Sequence, residues 1–246
     1  MNKNIELPFL RCDKFIIDWT PKAGCTIAKK IWLDYMDTLD EALKIECYHS
    51  GVLLRGWVHD FMPIFFRRFG RVGTEVELKS DNFIKIKYVR NPWDRAVSSY
   101  IHACKYPGLF GDYEEINPSF YGFLEALITG ELSMHGGGDH WRIQNLFPEV
   151  KYNEIIKIEN LKPETKRLNK KYNLNLKWNF GSRHHVKKKN RINNFFNASA
   201  SYVKKYLDEH NQVPAYSSFY DDQTIKMVYE IYKTDVNTYQ YKYPYS

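Results

Sequence analysis

The sequence contains no Walker-type loop: nowhere do two glycines bracket four residues ahead of a lysine and a hydroxyl side chain, which counts against an ordinary NTPase. Cysteine is scarce. The four present, Cys12, Cys25, Cys47 and Cys104, form no C-x-x-C pair, so neither a zinc ribbon nor a disulfide framework is indicated, and reduced, partly buried thiols are expected. No apolar run approaches the roughly 20 residues of a membrane-spanning helix, and the apolar stretch after Met1-Asn2-Lys3-Asn4 is too short for a secretory leader. A soluble, cytoplasmic protein is the resulting expectation, under which the glycosylation-type triplet Asn197-Ala198-Ser199 carries little weight. Repeats and low-complexity tracts are absent as well, which sets aside solenoids and flexible arrays.

Apolar residues make up 43% of the 246 and aromatics 16%, which argues against disorder and suits the core of one α/β domain. Basic residues outnumber acidic ones by 36 to 29, a net charge of +7. That balance favours anionic partners, whether nucleotides, polyanionic glycans, nucleic acid or acidic lipid, without choosing among them.

The stretch from Phe15 to Thr26 reads as strand, tight loop and helix start. Phe15-Ile16-Ile17 is a β-prone run, Pro21 and Gly24 punctuate the loop, and Ile27, Ile31, Leu33 and Tyr35 recur at spacings that a helix buries on one side. Such a loop points unpaired backbone N–H groups out of a helix N-terminus, where the dipole and the Thr26 hydroxyl favour an anion and Lys22 adds a full charge. A second strand–loop–helix follows. Phe83 to Val89 alternates with period two, Arg90-Asn91-Pro92-Trp93-Asp94-Arg95 turns, and a helix starting at Trp93 or Asp94 runs through Tyr100 and Cys104. Ligands of open parallel sheets bind at the carboxyl ends of the strands, so Lys22 and Arg90 are expected to face one ligand.

Between these motifs, Thr38 to Lys44 extends or restarts the first helix, Glu46 to His49 is a short strand or a loop, and Gly51 to Phe69 is aromatic and basic around His59-Asp60. Beyond them come a loop from Pro107 to Pro118, a helix from Phe120 to Ile128 and a glycine-rich loop from Met134 to Trp141. Tyr152 to Glu159 reads as a strand, Lys162 to Tyr172 as a helix and Asp221 to Tyr239 as a terminal helix. Gly181 to Arg191 is strongly basic, either a solvated loop or a lid over an anionic ligand.

Pro21-Lys22-Ala23-Gly24-Cys25-Thr26 resembles the 5′-phosphosulfate loop, and Val89-Arg90-Asn91-Pro92-Trp93-Asp94-Arg95-Ala96-Val97-Ser98-Ser99-Tyr100 the 3′-phosphate motif, of sulfotransferases that use PAPS, 3′-phosphoadenosine 5′-phosphosulfate. His140-Trp141 and Tyr229-Glu230-Ile231-Tyr232-Lys233-Thr234-Asp235 are similar to features of the Golgi-type carbohydrate sulfotransferases and their bacterial relatives. The resemblance runs from about Phe15 to Tyr241. It implies a P-loop-like three-layer α/β fold, with a central mostly parallel sheet flanked by helices, in a single domain over 1–246. The PAPS-binding core falls at about 13–105 and 150–200, and acceptor or lid elements at about 45–72, 106–145 and 181–195. The implied activity is transfer of the sulfuryl group from PAPS to a hydroxyl, a saccharide being the expected acceptor, with no metal and no nucleic-acid partner. Ala23, Ile27 and Ile143 depart from what relatives often carry, which bears on the fine phosphate contacts and on the acceptor loop.

By the same resemblance, Lys22 and the N–H groups from Ala23 to Thr26 serve the 5′-phosphate, Arg90 forks onto the 3′-phosphate seconded by Ser98, and Arg183 with one of Lys187 to Lys189 closes over the nucleotide. Arg95 is read as a structural ion pair near the helix start, ahead of direct binding. A histidine suits the base. His59 is favoured because Gly56-Trp57-Val58-His59-Asp60-Phe61 is similar in place and texture to the surroundings of the catalytic histidine in heparan sulfate 6-O-sulfotransferases. His49 is its rival, and His140 is a second candidate that could equally bind acceptor, with the Trp141 indole stacking on a sugar face. Two readings of other kinds stay open: a P-loop-type nucleotide kinase and a non-enzymatic basic nucleic-acid-binding protein.

Overall fold

Four consecutive buried residues, Phe15-Ile16-Ile17-Asp18, form a strand paired on both sides, and the sheet is built around them. The computed structural model of the protein describes residues 9–40, 72–132, 138–179 and 194–245. In chain order its elements are β1 (Phe9–Arg11), β2 (Phe15–Asp18), α1 (Cys25–Tyr35), β3 (Val72–Gly73), α2 (Glu75–Lys79), β4 (Ile84–Val89), α3 (Pro92–Lys105), α4 (Phe120–Thr129), β5 (Glu154–Lys157), α5 (Leu161–Tyr172), α6 (Ala200–His210), α7 (Asp222–Ile231) and α8 (Lys233–Tyr239). The chain divides into two compact units, residues 1–89 with 147–180 and residues 90–146 with 181–246. Among the described residues no helix is long and apolar enough to cross a membrane. The fold is α/β, its sheet mostly running one way with helices packed on it, as the sequence led us to expect.

The first unit holds the five-stranded sheet, in the order β3-β1-β2-β4-β5. β2 pairs in parallel with β4, Ile17 opposite Ile86 and Asp18 opposite Lys87, and β4 pairs in parallel with β5. β1 is antiparallel to both β2 and β3, so it is the single reversed strand of the sheet. Period-two alternation sorts the side chains between the faces. Phe15, Ile17, Ile86, Tyr88 and Ile156 pack with Ala28, Ile31 and Trp32 of α1 and Leu168 of α5, whereas Ile16 packs with Phe9, Leu78 and Val150. On that second face Asp18 and Lys87 form a buried ion pair at 2.8 Å, and the Tyr152 hydroxyl donates to the same carboxylate. β5 is shorter than the stretch Tyr152 to Glu159, because Ile158–Asn160 is already a 3₁₀ turn leading into α5.

β5 is tied to α5 by one carboxylate. Glu154, 5% exposed, accepts from Arg167 at 2.5 Å, Lys171 at 2.7 Å and the Tyr172 hydroxyl at 2.8 Å. Burial alone would raise its pKa, but these three donors outweigh it and hold the group at about 2, against an ordinary 4.5. The folded value is the depressed one, so the pairing stabilises the protein fully above about pH 4.5 and loses that contribution as pH falls toward 2. Glu154→Gln is expected to be less stable than the wild type at neutral pH, with a gap that narrows steadily below pH 4.5, measurable as urea midpoints across that range.

The second unit is helical around α3. Trp93, Val97, Tyr100 and Cys104 of α3 pack with Phe120 and Phe123 of α4, Val203 and Leu207 of α6 and Val228 of α7. α3 starts at Pro92, earlier than the expected Trp93 or Asp94, because Asn91 caps it by accepting from the Trp93 N–H at 3.1 Å and proline suits the first helical position. The expected terminal helix is instead two. Tyr232, fully buried, leaves the helical conformation between α7 and α8 and donates its hydroxyl to the Trp141 carbonyl at 2.7 Å, so a tertiary contact overrides the continuous helical pattern. Cys12 and Cys104 are free and buried, and burial pushes their thiols up to about 11 and about 12.

Candidate functional site

In the first unit the chain leaves β2 through Trp19 and Thr20, both buried, and closes a turn in which the Ala23 N–H donates to the Thr20 carbonyl at 3.0 Å. Pro21 takes the second position of that turn, which fits its fixed φ. Lys22 takes the third with φ 66, a left-handed conformation that glycine usually occupies. Gly24 is left-handed too, at φ 81, and a Cβ added there would come to 2.8 Å from Ile158 Cγ2, so the position is closed to other residues on both counts. No side chain caps the N-terminus of α1. Lys22, Cys25 and Thr26 are half-buried and Ala23 is fully buried. The result is a helix start whose first N–H groups are left for an anion, with a lysine held beside them at some conformational cost.

In the second unit Arg90 follows the end of β4, where strand pairing no longer serves its backbone. Gln144 takes over. Its side-chain oxygen accepts from the Arg90 N–H at 2.8 Å and its side-chain N–H donates to the Arg90 carbonyl at 2.9 Å, so one side-chain amide holds both backbone polar groups of the residue. Asp235 in the first turn of α8 holds the Gln144 segment in turn. Its carboxylate accepts from the backbone N–H of Gln144 at 2.8 Å and of Asn145 at 2.9 Å. Gln144 and Asp235 are both fully buried. The Arg90 guanidinium lies over the Tyr216 ring at 5.5 Å, with Nη2 3.5 Å from the Tyr216 hydroxyl.

Ser98 lies on the one incompletely buried stripe of α3, with Asp94, His102 and Lys105, at helical spacings. Its neighbour Ser99 points inward and donates to the His140 carbonyl at 2.6 Å. That bond brings His140 beside the stripe, its ring 4.7 Å from that of His102. Arg95 is fully buried, donates to the Arg142 carbonyl at 2.6 Å and lies 5.8 Å from the Tyr232 ring; burial lowers its pKa while Tyr232 and Asp235 oppose that shift. Trp141 corrects the sequence reading. Its indole is 2% exposed and packs edge-on against Phe123 at 5.6 Å, so it belongs to the core and offers no face to a sugar.

The structure thus places Lys22, Ala23, Gly24, Cys25 and Thr26 in one loop of the first unit and, in the second, Arg90 just before α3, Ser98 on the incompletely buried stripe of that helix and His140 beside His102 in its last turn. His49, His59, Arg183 and Lys187 to Lys189 lie outside the described residues. Sequence reasoning missed Gln144, His102 and the role of Asp235. The only signal for them was the spacing of the His140-Trp141 and Tyr229-to-Asp235 segments, which the Tyr232 and Asp235 contacts tie together. A model of the sulfotransferase family matches residues 11–242, across both units. No curated protein and no solved structure matches the chain.

Proposed function

Because the chain belongs to the sulfotransferase family, we propose that it transfers the sulfuryl group of PAPS to a hydroxyl, that of a saccharide being the acceptor class its basic, aromatic-rich sequence suits best. The observation that carries this reading is the Pro21-Lys22 turn: a lysine kept in a left-handed conformation beside an uncapped helix start. Strain of that kind persists where the position of the charge matters. Lys22 places its ammonium by the phosphate oxygen on which negative charge gathers as the sulfur is attacked, and the N–H groups of Gly24, Cys25 and Thr26 hold the 5′-phosphate, that of Ala23 being taken by the Thr20 carbonyl, contrary to the sequence expectation. Arg90, its backbone fixed by Gln144, offers the 3′-phosphate a charge-assisted contact, seconded by the Ser98 hydroxyl of α3. His59 is the base we favour for the acceptor hydroxyl, with His140 the alternative; His140 already neighbours His102 on the α3 stripe.

Calorimetry with three ligands tests the reading. PAP, the nucleotide left after sulfuryl transfer, is expected to bind without added metal and more tightly than ATP, while a short oligonucleotide binds weakly. ATP binding that needs magnesium would favour a kinase. Broad oligonucleotide binding that falls steeply with salt would favour a nucleic-acid-binding protein. Absence of PAP binding overturns the assignment.

A further inference from the structure

Near the loop between β2 and α1 lie a buried lysine set against an indole ring and a buried hydroxyl without a hydrogen-bond partner among the described residues. Lys29 is one helical turn into α1, four residues after Cys25, and is 3% exposed. Helical side chains lean toward the N-terminus, so its stem runs back under the loop, and its ammonium rests 4.7 Å from the centre of the Trp19 indole. Among the described residues Lys29 makes no hydrogen bond or ion pair, and the only titratable group acting on it is Cys25 of its own helix. The second group is the Thr20 hydroxyl, on the residue after Trp19, buried with no partner.

The other buried cations among the described residues are treated differently. Lys87 reaches Asp18 at 2.8 Å, Lys85 reaches Asp81 at 3.2 Å, and Arg95 reaches the Arg142 carbonyl at 2.6 Å. An indole face offsets only part of the cost of desolvating an ammonium. Burial accordingly lowers the Lys29 pKa from the ordinary lysine value. A methionine or leucine would fill the same space at less cost, so the charge calls for a counter-ion that the described residues do not supply.

We propose that Lys29 is a second cation of the anion-binding loop, left without a counter-charge in the free protein so that the phosphate end of the nucleotide supplies it, with the Thr20 hydroxyl donating beside it. This rests on the sulfotransferase reading and extends it. Lys22 then serves the bond being broken, while Lys29 serves the phosphate that stays with the nucleotide. The loop gains affinity for a doubly charged end at the expense of its own stability when empty.

The test compares wild type and Lys29→Met by calorimetry with PAP and with adenosine 3′-phosphate, and by thermal denaturation without ligand. Loss of one charge-assisted contact is expected to weaken PAP roughly ten- to a hundredfold. Affinity for adenosine 3′-phosphate, which lacks the 5′ group, stays unchanged, and the ligand-free midpoint stays level or rises. Unchanged PAP affinity in Lys29→Met overturns the inference alone. So does a lowered midpoint with equal losses for both nucleotides, since that pattern marks a structural residue. Failure of the wild type to bind PAP overturns the donor assignment and this inference together.

Discussion

Lys22→Gly is expected to fold normally and to lose about two to three orders of magnitude in turnover. Removing one positive donor from the place where transition-state charge develops has that effect in other transfer enzymes, because the group acts on the leaving oxygen more strongly than on the ground state. The unusual part concerns stability. Lys22 stands at φ 66 in the third position of a turn begun by Pro21, so a side chain there costs on the order of 1 kcal/mol. Glycine relieves that strain, which offsets its larger entropy loss on folding. The melting temperature should therefore stay level or rise slightly as turnover collapses, while Lys22→Ala loses turnover equally and keeps the strain. Turnover measured at saturating donor, beside thermal scans of both variants, decides it. A Lys22→Gly protein that still turns over at the wild-type rate would remove Lys22 from the chemistry.

Asp235→Ala should produce the largest loss of stability, about 3–5 kcal/mol, as expected when one side of a buried charged network is deleted. Its carboxylate takes the N–H groups of Gln144 and Asn145 and opposes the buried charge of Arg95. Alanine would orphan both N–H groups and leave Arg95 with less compensation. For a chain of this size the midpoint should fall by roughly 10 °C. The damage should also travel. Gln144, once loose, no longer fixes the Arg90 peptide, so whatever PAP affinity survives at low temperature is reduced as well. Gln144→Ala separates the two effects: it keeps Asp235 and its backbone contacts, and it should weaken PAP with a smaller loss of stability. Equal stability of Asp235→Ala and wild type would refute this network.

The two strand–loop–helix segments were legible because their signals are local. An apolar run, a proline and a glycine mark the loop before α1, and an asparagine followed by proline marks the start of α3 within a single turn. Contacts far apart in sequence leave no such trace. Asp235 and Gln144 are 91 residues apart, and nothing in either neighbourhood says that one caps the other. Trp141 misled for a related reason: an aromatic in a glycine-rich loop reads as a surface for ligand until Phe123 and Tyr232 are seen to enclose it. Lys29 sits beside Lys30 in an amphipathic helix, where a basic pair passes for a solvated edge, and only its burial over Trp19 sets it apart. The split between α7 and α8 was hidden likewise, since the apolar spacing continues through Tyr232.

The Asn91 side chain that caps α3 also donates to the Lys242 carbonyl at 2.9 Å, and the Tyr245 hydroxyl reaches Asp94 in the first turn of the same helix. Viewed along the time course of synthesis, this means that the arginine turn is among the last parts of the chain to mature. Arg90 leaves the ribosome early, but the groups that hold its surroundings arrive with Gln144, then Asp235, then Lys242. The sheet waits as well, because β5 pairs with β4 only after the intervening helices have been translated. The first unit is complete only at residue 180 and the second only with residues beyond it, so a nascent chain halted before residue 235 should carry the loop of Lys22 and still be unable to hold Arg90 in place.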